Sequence, residues 1–176
     1  MPSYYIYLIS SLPMLHFQTK PPFSFEKFLQ ICADFIPESD VDMLRFFSRS
    51  DIYDHVFNQP TLKKWQAFDI ALRNELVKIR ASRRKTEPDK YLRKDIDAES
   101  FVYQVALSAY RNPSIIEAER ILDQERWRKL DELATGHYFD IDFLLVYAIK
   151  LLILERWHRI NTADKSKMLE DILQNS

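Results

Sequence analysis

Glycine is almost missing from this chain: of 176 residues only Gly136 is one, where an average domain devotes about 7% of its residues to it. Tight hairpins, bulges and phosphate-cradling loops need backbone with positive φ, which glycine supplies at least cost. A sheet protein is therefore not expected. The P-loop, the dinucleotide fingerprint and the G-x-S-x-G nucleophile elbow each need two or more spaced glycines, so all three are excluded. Cysteine is equally scarce. Cys32 stands alone, which rules out an intrachain disulfide or a cysteine-based zinc site and suits a reducing compartment. Long hydrophobic runs are missing too. The most apolar stretch, Phe143 to Leu154, contains Lys150 and falls short of the ~20 residues of a membrane span. The first residues carry no basic signal-peptide region, so a soluble, cytoplasmic protein is expected. With 25 basic and 26 acidic residues, there is no excess of one sign to attract an anionic partner globally.

What the sequence does contain is helical punctuation. Ser24 is placed to cap a helix ending near Phe35 or Ile36, before Pro37. Ser39 to Asp42 have the S-x-x-[DE] form of a capping box, opening a short helix through Phe47, and another short helix to Phe57 is open. Thr61 is placed to cap a long helix in which Trp65, Phe68, Leu72, Leu76 and Ile79 form an apolar stripe, with Lys63, Lys64, Asn74 and Lys78 away from it. A further helix covers about 97 to 110. Asn112 and Pro113 read as N-cap and first helical residue of the next, which runs to about Thr135 with Gly136 as its left-handed C′ residue. Asp140 caps a helix to about Ile160, apolar around its whole circumference from Phe143 to Leu154 except at Lys150, and Thr162 caps a last one to about Leu173. The expected fold is all-α: one domain over 1–176, seven to eight helices around a central helix at about 140–160. At this size about 70% of the unfolded chain's surface can be buried.

The opening segment, YYIYLISSLPML from Tyr4 to Leu15, is the one stretch with the composition of a strand. A lone strand leaves its amides and carbonyls unpaired, at about 1–3 kcal/mol for each buried group. A helix from Tyr4 to Ser11, capped by Ser3 and ended by Pro13, satisfies them. An extended arm added to a partner's sheet edge is the alternative.

Each candidate site has a plain structural alternative. Glu155 and His158 form the E-x-x-H of di-iron bundles, but no second such pair exists, which leaves a helix-terminal salt bridge. His137 lies between Gly136 and two aspartates, Asp140 and Asp142; it is a candidate base without a convincing nucleophile, or part of a helix joint in which Tyr138 and Phe139 pack and Asp140 caps. Lys150 is a candidate buried amine or a snorkelling side chain. Glu119 and Arg126 fall near the middle of the apolar face made by Ile115, Ala118, Leu122, Leu130 and Leu133. Desolvated charges must be paired, so they enter either an internal ion network or a polar docking spot. From Lys78 to Lys94, the basic residues Lys78, Arg80, Arg83, Arg84, Lys85, Lys90, Arg93 and Lys94 surround Tyr91. This is a solvated face, a surface for an acidic protein, or a site for RNA phosphates or acidic lipid.

Five segments taken together, YYIYLISSLPML, KPPFSFEKFL, WQAFDIALRNELVKIRA, NPSIIEAERILDQERW and LDELATGHYFDIDFLLVYAIKLLILERW, resemble in order and spacing a family of short uncharacterised proteins encoded in bacterial V/A-type ATPase gene clusters. That family is similar to a shortened C subunit, the counterpart of eukaryotic subunit d. The resemblance implies a non-catalytic, all-helical socket between the central rotor shaft and the membrane ion-carrying ring, without metal or cofactor, peripheral to the inner membrane face. Its aromatic first helix favours the helical form of the opening segment. C subunits are about twice as long, so one copy cannot build the full socket, and a homodimer is open. The matching positions are Arg73, Asn74, Asn112, Pro113, Glu119, Arg126, His137 and Tyr138. Arg80, Arg83, Arg84, Glu119 and Arg126, with His137 and Tyr138, are the residues expected to meet partners. The alternative is a free-standing helical adaptor or RNA-binding protein using residues 78–94.

Overall fold

The computed structural model describes residues 3–46, 55–93 and 100–174, and among them there are seven helices and no strand. In chain order they are α1 (Ser3–Ser11), α2 (Phe25–Ala33), α3 (Glu38–Arg45), α4 (Pro60–Arg84), α5 (Ser100–Arg111), α6 (Ile115–Ala134) and α7 (Ile141–Gln174). The fold is all-α, and the opening segment is helix α1. The expected short helix ending at Phe57, the start of a helix at 97 and Lys94 lie largely or wholly outside the described residues.

Caps explain the boundaries, with several shifts from expectation. Ser24 Oγ accepts the Lys27 N–H at 3.1 Å, as expected for α2. Asp140 Oδ1 accepts the Phe143 N–H at 3.0 Å and caps α7. Gly136, at φ 87°, turns the chain out of α6 in the left-handed region. Elsewhere a neighbour takes the role. Helix α3 starts behind Pro37 with no side-chain cap, one residue before Ser39. Gln59 rather than Thr61 caps α4, its Oε1 accepting the Leu62 N–H at 2.7 Å. Ser114 rather than Asn112 caps α6, while Asn112 Oδ1 accepts the Ser114 N–H at 2.9 Å and so shapes the turn before it. No break occurs at Thr162, and α7 continues to Gln174. The Thr162 hydroxyl donates to the His158 carbonyl at 2.8 Å, an i−4 back-bond that a helix tolerates.

The chain divides into two compact units, Met1–Arg49 with Gly136–Ser176, and Ser50–Thr135. In the first, α2 and α3 pack on each other and on α7. Every residue from Leu144 to Ile149 is buried, and at 100° per residue such a run covers the full circumference of the helix. Phe28 is fully buried and stacks on Tyr147, ring centroids 5.2 Å apart. The Tyr147 hydroxyl donates to the Pro13 carbonyl at 2.9 Å, fixing the segment that leaves α1. Helix α1 buries Tyr5, Leu8 and Ile9, and the Tyr5 hydroxyl donates to Asp40 on α3.

In the second unit α4, α5 and α6 pack pairwise. The expected stripe of α4 is present, with Trp65, Phe68, Leu72 and Leu76 buried and Ile79 half-buried. Asn74, expected to face away, is buried instead. Its side chain donates to the Arg93 carbonyl at 2.7 Å and accepts the Arg93 N–H at 3.0 Å. The loop after α4 thus folds back and satisfies a side chain that would otherwise be costly to bury.

Three titratable groups of the first unit link its core to pH. Burial pushes the Cys32 thiol up to about 12. The Tyr5 phenol is held well above its usual range by burial and then by the Asp40 carboxylate, and the Tyr147 phenol by burial. The folded state keeps these protons at a pH where an unfolded chain loses them, about 8.5 for a thiol and about 10 for a phenol. Their stabilisation is complete below those values and lost as pH rises toward the folded ones. The thermal midpoint should therefore fall as pH rises from about 8.5 towards about 12, less steeply in Cys32→Ala. A thiol reagent near neutral pH should label Cys32 only after denaturation; rapid labelling of the native protein would contradict this account.

Candidate functional site

Arg126 is the most deeply buried of the candidate partner-binding residues. It is 7% exposed, with Nε 2.7 Å from Asp69 Oδ1 and Nη1 2.9 Å from Asp123 Oδ1. Asp69 Oδ2 meets Arg73 Nε at 2.8 Å. Burial opposes the charge on Arg126, but Asp69 and Asp123 outweigh it and raise its affinity for the proton above the usual value. Of the two alternatives for Arg126, the internal network is the one built: it locks α6 to α4 and is withdrawn from any partner surface. Glu119, seven residues earlier on α6, is half-buried.

Sequence reasoning missed the two acids of this network. Signals existed for two of its three pairs, since D-x-x-x-R at Asp69 and Arg73 and D-x-x-R at Asp123 and Arg126 are helical ion-pair spacings. Nothing local pairs Asp69 with Arg126.

The N-terminal part of α6 departs from its expected face. Leu122, Leu130 and Leu133 are buried, as expected, together with Trp127. Ile115, assigned to the same face, is 82% exposed, and Ile116 beside it is 41% exposed. The apolar stripe of α6 therefore extends beyond the covered part of the helix.

At the joint between α6 and α7, His137 Nδ1 lies 2.7 Å from Asp140 Oδ2 and 3.8 Å from Asp142 Oδ2. One oxygen of Asp140 caps α7 and the other faces His137. The positive end of the helix dipole favours both carboxylates at this position. His137, Asp140 and Asp142 offer ligand atoms within 4.8 Å of one another, yet the same geometry is accounted for by capping and pairing. Tyr138 and Phe139, expected to pack at the joint, are exposed.

The basic exit of α4 is exposed at Arg80, Arg83, Arg84 and Lys85, and Lys85 takes a left-handed conformation at φ 54° to end the helix. Arg83 is already engaged within its unit: Nη1 donates to the Tyr110 hydroxyl at 3.2 Å, with the guanidinium 5.7 Å from that ring's centroid. Tyr91 is 66% exposed. Lys150 is half-buried.

Glu155 and His158 do come together, though not at a helix terminus, because α7 runs on past them. Glu155 Oε1 accepts the Phe25 N–H at 2.8 Å, capping α2 from a distance in sequence. Both residues, with Arg159, line a cleft of about 380 Å³ whose opposite wall is Lys20 to Ser24. Lys20 and Arg159 had no sequence signal, since 139 positions separate them.

A family model described as a protein of unknown function (DUF2764) matches residues 95–175, a little under half of the chain and the part that carries α5, α6 and α7. No curated protein and no solved structure matches the chain. No helix among the described residues is long and apolar enough to cross a membrane.

Proposed function

We propose that this chain is a non-catalytic, protein-binding subunit of a V/A-type ATPase, a shortened C-like socket between the rotor shaft and the membrane ring. The observation that carries the protein-binding part is the uncovered end of the α6 stripe. Ile115 and Ile116 are adjacent, exposed, and continuous with residues that are core further along the same helix. A stripe of this kind is what a partner helix or loop covers. Glu119, half-buried beside it, supplies a polar contact at the rim. The assignment to the ATPase rests on the five-segment resemblance. Two further features suit a part that bears torque: the buried arginine–aspartate lock between α4 and α6, and helices whose interiors contain no glycine.

Tagged chain purified from its native host should bring down the rotor-shaft and ring subunits, and Ile115→Glu should reduce that recovery about tenfold while leaving the circular dichroism and thermal midpoint unchanged, because the site is already solvated. Recovery of no ATPase subunit would remove the assignment. A second class, a free-standing adaptor or RNA-binding protein, is favoured by exposed Tyr91 among the exposed cations of residues 80–90. It calls for RNA binding that weakens steeply with salt and is lost when Arg83, Arg84 and Lys85 become alanine.

A further inference from the structure

We propose that the cleft between the segment preceding α2 and the middle of α7 is a docking site for an acidic peptide segment of a partner protein, one that sets a carboxylate beside an aromatic or aliphatic side chain. The proposal rests on the protein-binding function above but not on the identity of the ATPase.

Glu155, His158 and Arg159 occupy positions i, i+3 and i+4, so they share one face of α7. Across from them, Lys20 opens the K-P-P-F-S segment. None of Lys20, His158 and Arg159 has an acidic side chain as partner among the described residues. Arg45 and Arg128, also exposed, each pair with an acid one helical turn away, Asp42 and Glu125. Lys20 and Arg159, two positive charges at a concavity with an apolar wall, focus a positive potential there.

The other lining groups narrow the occupant. Glu155 is committed to the Phe25 N–H, and its negative charge in the wall disfavours a doubly charged phosphate more than a single carboxylate. Pro21, Pro22 and Phe23 give the opposite wall an apolar surface. Two consecutive prolines fix the backbone of that wall, which has little conformational freedom left to lose on binding. The volume, about 380 Å³, is at the lower end of ligand clefts and suits one or two side chains of a bound segment rather than a nucleic-acid backbone, which needs cations spaced along a line.

The test uses the purified full-length chain and fluorescence anisotropy of a labelled synthetic peptide alternating Asp or Glu with Phe or Leu. Two control peptides replace the acids with lysine or the apolar residues with serine. The acidic–apolar peptide should bind, and both controls should bind at least about tenfold more weakly. Lys20→Glu with Arg159→Glu should raise its Kd about tenfold or more, since two attractions become repulsions. Glu155→Gln, which keeps an oxygen for the Phe25 N–H, should tighten the peptide a few-fold. Arg84→Glu, on the other unit, should change nothing.

The positions changed are exposed or replaced by near-isosteres, and an unchanged thermal midpoint verifies folding. Equal affinity in the Lys20→Glu, Arg159→Glu double variant would overturn the proposal. So would displacement of the peptide by inorganic phosphate at similar concentration, which would make the cleft a simple anion site. Peptide binding by a chain that recovers no ATPase subunit would retain the cleft and remove the stalk assignment; recovery of those subunits by the double variant with no peptide binding by the wild type would do the reverse.

Discussion

Arg126→Met should destabilise the protein by about 3–5 kcal/mol, the cost of removing one partner from a buried ion cluster. The side chains of Asp69 and Asp123 are 2% and 1% exposed. With the guanidinium gone, Asp123 loses the partner at 2.9 Å and Asp69 the one at 2.7 Å, and Arg73, which still meets Asp69, has a side chain 43% exposed. Methionine restores much of the volume, so the loss reports the uncompensated charge rather than a cavity. For a chain of this length each kcal/mol is worth about 2–4 °C in the thermal midpoint, giving a fall of roughly 6–20 °C. Arg126→Lys retains the charge but cannot fork to two carboxylates, and should lose a smaller part. Arg73→Ala should cost only about 1 kcal/mol, because its contact is half in solvent. Adding Asp69→Asn and Asp123→Asn to Arg126→Met should recover much of the loss, since neutral groups are cheaper to bury than unpaired ions. Urea unfolding checks all four variants, and a change below about 1 kcal/mol for Arg126→Met would show that the acids find water or another cation.

Phe28→Ala should cost about 3–5 kcal/mol through lost burial and the cavity left behind, with the stacking on Tyr147 adding about 0.5–1.5 kcal/mol. Phe28 is fully buried between α2 and α7, and Tyr147 in turn holds the Pro13 carbonyl. The loss therefore propagates to the segment after α1, and the Cys32 thiol one turn along α2 should become reactive. Phe28→Leu keeps most of the volume and should cost less than half as much. Tyr138→Ala, at a residue 67% exposed, should stay within about 0.5 kcal/mol. A similar loss for Tyr138→Ala would mean that exposure is a poor guide to the energetics of this unit.

The caps show where sequence is and is not sufficient. Ser24 and Gly136 were legible because each is the only good capping residue at its break, and Asp140 because it is the first of the two aspartates after the turn. At Pro37–Ser39, Gln59–Thr61 and Asn112–Ser114 several candidates stand within two positions of one another. The choice among them is made by the register that packing imposes, which decides which amide is left uncovered. Thr162 misled for a related reason: a threonine can cap a new helix or back-bond within an old one, and nothing near it in sequence decides between the two.

The sequence alone determined that this protein is helical, that α7 is apolar on every side from Phe143 to Leu154 apart from Lys150, and that charges at Glu119 and Arg126 fall on an apolar face. All three follow from interactions within one or two turns or from the glycine a sheet would need. Only the tertiary structure decided that Arg126 closes on Asp69, that Asn74 holds Arg93, that Ile115 lies beyond the covered face, and that Lys20 and Arg159 line one cleft. Helical periodicity says which residues share a face. It does not say which faces meet, because that choice depends on the packing of side chains far apart in the chain.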